Sequence, residues 1–222
     1  MRRQTIGSGI GLLLLLGLAL TGLAPAGRAQ SPEAAAPRSA QAQGEIRGVW
    51  MTANDMAVLR DRARMRQAVA HLAALQFNTI YVVVWNDGTA YYPSAVTRSR
   101  GFQDFEIRGL QGQDVLAELT DEARRQGLLV IPWFEFGFMV SLHAELARRH
   151  PDWLTQTRTG ERTSISAAGE VAWLNPFRPE VQQLITDLVL EVVTTYPVDG
   201  IQFDDHMSLP RAFGYDAYTT AL

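Results

Sequence analysis

Cysteine is absent from this chain of 222 residues, so no disulfide can form and packing alone must stabilise the fold. A strong excess of charge is also lacking, since 20 basic and 23 acidic residues leave a formal net charge of -3. Without a basic stripe, the sequence gives no indication of nucleic-acid binding. Hydrophobic residues make up 47% of the chain, which is enough to bury the core of one domain.

The longest hydrophobic run lies near the N-terminus. Arg2 and Arg3 precede an apolar stretch from Ile10 to Leu20, and small residues surround Ala29. This pattern predicts a signal peptide over residues 1–29, cleaved after Ala29, and a protein exported to the periplasm or the extracellular space. The apolar stretch is short for a spanning helix, so we expect no stable membrane span after cleavage. A membrane anchor is the alternative if the signal is not cleaved.

Residues 30–44 consist mainly of Ala, Gln, Pro and Ser, which predicts a flexible linker. From Glu45 onward, strand and helix patterns alternate. We expect strands over 46–52, 78–85, 128–135 and 198–204, and helices over 60–76, 114–126 and 179–196. The expected inward faces are Met65, Val69, Leu72 and Leu75 in the first helix, and Val181, Leu184, Ile185, Leu188 and Val192 in the third. Pro132 suggests a bulge in the third strand.

Strands and helices that alternate in this way predict an α/β fold with a parallel sheet. No Gly-rich phosphate turn follows the first strand, which favours a (β/α) barrel of the TIM type over a dinucleotide-binding fold. Such a barrel has eight strand-helix units, and only about four are found. We therefore expect residues 45–222 to form the N-terminal part of a barrel domain, as a fragment or a half barrel. The long connections 86–113 and 136–178 follow strand carboxyl ends, where barrel enzymes build their sites.

The run Pro197-Val198-Asp199-Gly200-Ile201-Gln202-Phe203-Asp204-Asp205-His206 is an apolar strand that ends on two carboxylates. Strand interiors normally exclude Asp, because a buried charge without a partner is costly. Asp204 and Asp205 at the carboxyl end therefore indicate a ligand site, although a strand that ends on solvated Asp residues is the alternative. Since side chains alternate along a strand, Gln202 and Asp204 should face the barrel mouth, and Ile201 and Phe203 the outer helices.

Several short motifs accompany this run in a fixed order. They are Arg47-Gly48-Val49-Trp50, Phe77-Asn78-Thr79-Ile80, Gly127-Leu128, Trp133-Phe134, His150-Pro151-Asp152-Trp153-Leu154 and Leu174-Asn175-Pro176. Together they resemble the glycosyl hydrolase-like ten family of exported bacterial proteins, over residues 45 to about 220. The resemblance implies a barrel glycosidase that hydrolyses cell-wall or other polysaccharides, and some family members act on peptidoglycan glycan strands. Gln202 and His206 depart from the family, which usually has His and an aromatic residue there.

Glycoside hydrolysis requires two carboxyl groups, one that protonates the leaving oxygen and one that attacks the sugar or activates water. Asp204 is the first catalytic candidate, because of its expected inward position. Glu135 ends the neighbouring strand and is the second, as acid/base or as a substrate-binding residue, with a salt-bridged strand end as the alternative. We expect Asp199, at the start of the last strand, to be structural.

The candidate substrate-binding residues lie near strand ends and are Asn54, Asn86, Trp133, Asn175, Asp205 and His206. Asp87, Tyr91 and Tyr92 lie in the same region. Trp85, Trp133 and Trp173 serve either as sugar platforms or as core, and Asn175 either orients substrate or caps a helix. The histidines lack metal-ligand spacing, so we expect neither a metal nor another cofactor. The expected partner is a polysaccharide; a non-catalytic carbohydrate-binding barrel and an inactive truncated product are the alternatives.

Overall fold

The computed structural model describes residues 45–102, 112–167 and 169–222. The predicted signal peptide, residues 1–29, and the linker, residues 30–44, lie outside this range and stay predictions. Among the described residues, no helix combines the length and the apolar character that crossing a membrane requires.

The described residues alternate between strands and helices. The strands are β1 (Gly48–Met51), β2 (Thr79–Asn86), β3 (Thr89–Ala90), β4 (Leu129–Phe134), β5 (Met139–Val140), β6 (Thr163–Ser166), β7 (Gly169–Trp173) and β8 (Gln202–Phe203). The helices are α1 (Met56–Leu59), α2 (Arg62–Ala74), α3 (Ala95–Ser99), α4 (Val115–Arg125), α5 (Glu145–Arg149), α6 (Pro179–Thr195) and α7 (Ala217–Thr220). Short 3-10 helices cover Ala53–Asp55, Pro151–Trp153 and Asp205–Met207.

The main sheet has the parallel order β1-β2-β4-β8, with β3 antiparallel to β2. This confirms the predicted α/β fold and the order of its four strand-helix units, which form an open sheet in the described part of the chain. The last strand is shorter than predicted, since only Gln202–Phe203 pair in the ladder. The bulge predicted at Pro132 is absent from β4, where Pro132 stays in register with Val82. The irregularity lies in β2 instead, between Val83 and Trp85.

A second, antiparallel sheet of β5, β7 and β6 lies within the connection 136–178. The sequence does not predict this sheet, because strands of two to five residues are too short to show an alternating pattern. The other long connection begins with a two-residue turn at Asp87 and Gly88, both with positive φ (50° and 68°). Such Asp-Gly turns match the twist of a hairpin, here β2 and β3.

The outer face of the main sheet carries the core beneath α2, α4 and α6. All five residues predicted on the inward face of α6 are buried, which confirms that face. The predicted face of α2 is correct at Met65 and Val69 but wrong at Leu75, which is exposed because the helix already ends at Ala74. Phe203 lies on this outer side beside buried Phe134, as expected, yet stays partly exposed because β8 forms the edge of the described sheet.

The inner face of the sheet is concave and less covered. Trp50 of β1 is 47% exposed and stacks on Tyr81 of β2, with ring centroids 4.6 Å apart. The Trp50 Nε1–H donates to Gln202 Oε1 over 3.1 Å. Because β1 and β8 are the outermost strands of the sheet, this hydrogen bond crosses the concave face. The sheet is therefore curved like part of a barrel wall, and Gln202 faces inward as predicted.

Candidate active site

Asp204 follows β8 directly and lies on the inner side of the sheet. Its Oδ2 accepts a hydrogen bond from Trp133 Nε1 over 3.0 Å, and its Oδ1 accepts one from His206 N over 3.0 Å. Trp133 pairs in register with Gln202, so both side chains share the inner face. The two donors fix both oxygens of a carboxylate whose side chain is 22% exposed.

Glu135 follows β4 and brings three strand ends together. Its Oε2 accepts hydrogen bonds from Asn86 Nδ2 over 2.9 Å and from Ala53 N over 3.2 Å. Asn86 ends β2, and Ala53 begins the turn after β1. Both donors are neutral, so the contacts orient the carboxylate without a salt bridge. The sequence indicated Glu135 and Asn86, but a backbone donor such as Ala53 N carries no sequence signal.

His206 connects the two candidate catalytic segments. Its Nδ1 lies 2.9 Å from the Glu135 carbonyl oxygen and 3.3 Å from Asp204 Oδ1. The His206 carbonyl in turn accepts from Phe138 N over 2.9 Å. A Cβ on Gly137 would lie 2.6 Å from that carbonyl oxygen, so the turn after β4 and the turn after β8 fit together only with glycine here. No sequence pattern marks Gly137, because this contact depends on the tertiary structure.

Asp205 and Asn54 lie at the rim of this site. The Asp205 side chain is 90% exposed, and Asn54 is exposed in the turn after β1. Asp204, Asp205 and His206 offer potential ligand atoms within 4.8 Å of one another. Exposed acidic groups often show such spacing without an ion, and His206 Nδ1 faces the Glu135 carbonyl. The expectation of a site without metal stays a prediction.

Asn175 does not join this group, and it does not cap α6 either, since the N-cap of that helix is Arg178 without a side-chain cap. It is fully buried, and its Nδ2 donates to the Asp216 carboxylate at 3.0 and 3.1 Å and to Thr219 Oγ1 at 2.7 Å. Its Oδ1 accepts from Phe177 N. Burial alone would raise the pKa of Asp216, but hydrogen bonds from Thr155 and Thr219 outweigh it and lower that pKa below its ordinary value. Asn175 thus ties the start of α6 to α7.

Several of the predicted aromatic platforms belong to the core instead. Trp85 and Trp173 are buried, and their indole N–H groups donate to Gly137 O and Ser164 Oγ. Tyr91 is also buried, and the buried Tyr92 donates its hydroxyl to Glu191. Burial, followed by the charge of Glu191, raises the pKa of the Tyr92 phenol. Of the three tryptophans considered as platforms, Trp133 is the half-buried one, and it lies beside Asp204.

Asp199 has the structural position expected from the sequence. Its backbone N donates to Val130 O, and its Oδ2 accepts from Val130 N, both over 2.9 Å. These contacts extend the pairing of β4 beyond the short β8. They lie at the opposite end of the strand segment from Asp204.

Two curated relatives carry the name glycosyl hydrolase. DigH of Escherichia coli strain K12 is 32% identical over 191 residues, which cover 75% of this chain and 43% of that protein. YngK of Bacillus subtilis strain 168 is 24% identical over 189 residues, which cover 76% of this chain and 34% of that protein. The chain thus spans less than half the length of these relatives.

Solved structures share the fold at low identity. The TtGalA α-galactosidase from Thermus thermophilus, solved with stachyose, matches with a TM-score of 0.52 and 17% identity over 73% of this chain and 33% of its own. A protein from Ruminiclostridium thermocellum matches with a TM-score of 0.55 and 15% identity over 75% of this chain and 78% of its own. The fold is therefore that of part of a (β/α) barrel of the TIM type. The sequence model of the Glycosyl hydrolase-like 10 family matches residues 45–222, so the chain belongs to that family.

Proposed function

We propose that this protein is an exported glycoside hydrolase that cleaves O-glycosidic bonds in a cell-wall polysaccharide, with peptidoglycan glycan strands as its substrate. Membership of the family supports the glycosidase class. The N-terminal sequence pattern supports export. This chain matches only 43% of the length of the E. coli protein. That it has the glycosidase activity expected of the longer relatives is therefore part of the proposal.

The observation that carries the proposal is the pairing of two carboxylates at strand ends. Asp204 and Glu135 follow the adjacent strands β8 and β4, and His206 contacts both segments. Parallel-strand barrels bind their substrates at this end of the sheet. Two carboxyl groups on one such edge are what glycoside hydrolysis requires.

Asp204 is the proposed nucleophile or base. Trp133 and His206 N fix its two oxygens, so the carboxylate is held in one orientation before substrate binds. Positioning of this kind lowers the entropy cost of attack on the anomeric carbon, or of activating water to attack it. The half-buried Trp133 ring beside Asp204 offers an apolar face to a sugar.

Glu135 is the proposed partner, as proton donor to the leaving oxygen or as a ligand of sugar hydroxyls. Asn86 and Ala53 both donate to Oε2, which leaves Oε1 as the oxygen to carry a proton or meet the substrate. Asn86 is buried, so in the proposal it positions Glu135 and does not contact the substrate itself. Asp205 and Asn54 at the rim are the proposed contacts to more distant hydroxyls.

The proposal is tested by incubating the purified chain with peptidoglycan glycan strands and, separately, with starch and chitin. New reducing ends and shortened strands, found by mass spectrometry, are expected with the glycan strands alone. NMR of the first-formed anomer then distinguishes retention from inversion. Cleavage of starch or chitin alone would reject the substrate. Binding of the strands without turnover would instead favour the carbohydrate-binding alternative.

A further inference from the structure

A polar cleft of about 160 Å³ lies at the carboxyl end of β2, on the same edge of the sheet as the candidate active site. It is formed by the turn after β2, residue Thr89 of β3, and the segment from the end of β5 into α5. Its polar lining residues are Asp87, Thr89, Ser141, His143, Glu145 and Arg148. Asp87 directly follows Asn86, whose side chain bonds Glu135, so the cleft and the candidate active site share the carboxyl end of β2.

The acceptor groups of the cleft are fixed in place. Asp87 occupies the first position of the β2–β3 turn, and its Oδ1 and Oδ2 accept from Ser141 N over 2.6 Å and Ser141 Oγ over 3.2 Å. The Glu145 carboxylate accepts from Arg149 Nε over 2.7 Å. Each carboxylate has lone pairs left for further donors.

The donor groups are exposed and uncommitted. Within the described parts of the chain, the side chains of His143 and Arg148 make neither a hydrogen bond nor an ion pair, and both residues are exposed. A groove of about 190 Å³ between α2 and α4 differs in this respect. Two of its three arginines are paired with its own carboxylates, Arg62 with Glu118 and Arg125 with Glu122, both at 2.6 Å.

We infer that the Asp87–Arg148 cleft is a carbohydrate subsite that takes one neutral sugar unit of the polymer; this rests on the proposed function. Sugar hydroxyls both donate and accept, and the cleft presents fixed carboxylate acceptors together with guanidinium and imidazole donors. Glu145 is already paired with Arg149, and Arg148 balances the charge of Asp87, so the cleft has no net positive charge that would favour an acidic sugar. Its volume is below that of sites for drug-sized ligands, which suits a single ring.

The test measures binding by calorimetry in the Asp204→Asn background, so that the probe is not consumed. The neutral probe is chitopentaose, and the acidic probe is a pentamer of galacturonic acid. His143→Ala and Arg148→Ala should each weaken chitopentaose binding about tenfold, equivalent to about 1.4 kcal/mol, because each substitution removes a hydrogen-bond donor to a sugar hydroxyl. Arg64→Ala, an exposed arginine on α2, is the matched control and should bind like the parent.

Chitopentaose binding that is absent, or that is unchanged in both cleft variants, would overturn the subsite. The subsite would also be overturned if the galacturonic acid pentamer bound more tightly than chitopentaose and lost that binding in Arg148→Ala. Hydrolysis by the chain with Asp204 intact is measured separately. One outcome is that the cleft variants lose chitopentaose binding even though the protein with Asp204 intact hydrolyses no polysaccharide. In that outcome the subsite stands and the proposed function fails.

Discussion

Asp204 and Asp199 lie five residues apart, yet their carboxylates have different surroundings. Asp204 accepts hydrogen bonds from the Trp133 side chain and from the backbone N–H of His206 on the inner side of the sheet. Asp199 is bonded by Val130 N at the amino end of the same segment. The surroundings of Asp204 suit a catalytic carboxylate at a strand end, whereas the contacts of Asp199 extend the pairing with β4.

Replacing Asp204 with Asn keeps the shape of the side chain and removes its charge. We expect this variant to lose glycan cleavage by ~10²–10⁴-fold or more, because that is the usual contribution of a proton-transfer group. Rates are measured on purified glycan strands, with thermal melts to confirm folding. The matched variant Asp199→Asn should lower Tm and leave turnover nearly unchanged. An active Asp204→Asn beside a folded but inactive Asp199→Asn would require the two roles to be exchanged.

The buried carboxylate of Asp216 predicts a pH dependence of stability. Its pKa in the folded protein is lowered, so its ionised form stabilises the fold at pH values above the unfolded value of about 3.9. This contribution is lost as the pH falls through the lower folded pKa. Urea unfolding of the parent and of Asp216→Asn should therefore differ most near pH 7, and the difference should begin to shrink as the pH falls below about 3.9. A constant difference from pH 7 to pH 3 would contradict this.

Side-chain chemistry at strand ends was predictable, whereas contacts made by backbone atoms were not. Asp204, Glu135 and Asn86 were identified because polar residues at the ends of apolar strands are unusual. Ala53 N and Gly137 take part through tertiary contacts that no local pattern encodes. Asn175 has no distinguishing signal either, because a buried, fully bonded amide and a substrate-binding amide look alike in sequence.

The packing of two turns is the critical feature at the level of elements. Gly137, after β4, has φ +53° and faces the backbone of His206 and Met207. Gly127, after α4, also has positive φ (+76°), but nothing lies within 4 Å of a Cβ placed there. The two glycines therefore separate the cost of a left-handed backbone from the cost of a steric clash.

Gly127→Ala should cost roughly 1–2 kcal/mol, the price of a left-handed backbone alone. Gly137→Ala should cost more and should also displace the Asp205–Met207 turn, which lowers hydrolysis. Urea unfolding and the glycan assay measure the two effects. Equal losses of stability in both variants, with activity intact in Gly137→Ala, would show that the two turns pack independently.

Elements with long, regular patterns were predictable, and short ones were not. The inward face of α6 consists of five apolar residues spaced at helical intervals from Val181 to Val192. The predictions of the helix and of its buried face are therefore both confirmed. β2 is a β-branched run buried on both faces of the sheet. β5 has two residues and exists only because β7 pairs with it, so its sequence carries no signal.

At the scale of the molecule, the open edges of the sheet predict association. In the described part of the chain, β1 and β8 pair on one side only, and Trp50 and Phe203 are partly exposed. Unpaired strand edges beside apolar surface favour aggregation. Light scattering of the segment 45–222 should show oligomers, and calorimetry should show broad unfolding. A sharp two-state transition of a monomer would disprove this expectation.

Export is a second expectation at this scale. The Arg2-Arg3 pair and the leucine run predict cleavage after Ala29, so the mature chain should begin at Gln30. N-terminal sequencing of the exported protein tests this. A mature chain that begins at Met1 or Arg2 would support the membrane anchor instead.

The hydrogen bond from Trp50 to Gln202 gives the concave face a built-in optical reporter. Trp85, Trp153 and Trp173 are buried, and Trp133 is half-buried, so the half-exposed indole of Trp50 should dominate quenching of fluorescence by acrylamide. Its emission depends on whether water reaches the inside of the curved sheet. Anything that covers this face, such as further strands or another chain, would shift the emission to shorter wavelength and shield it from the quencher. Closure of the wall is thus observable without a label.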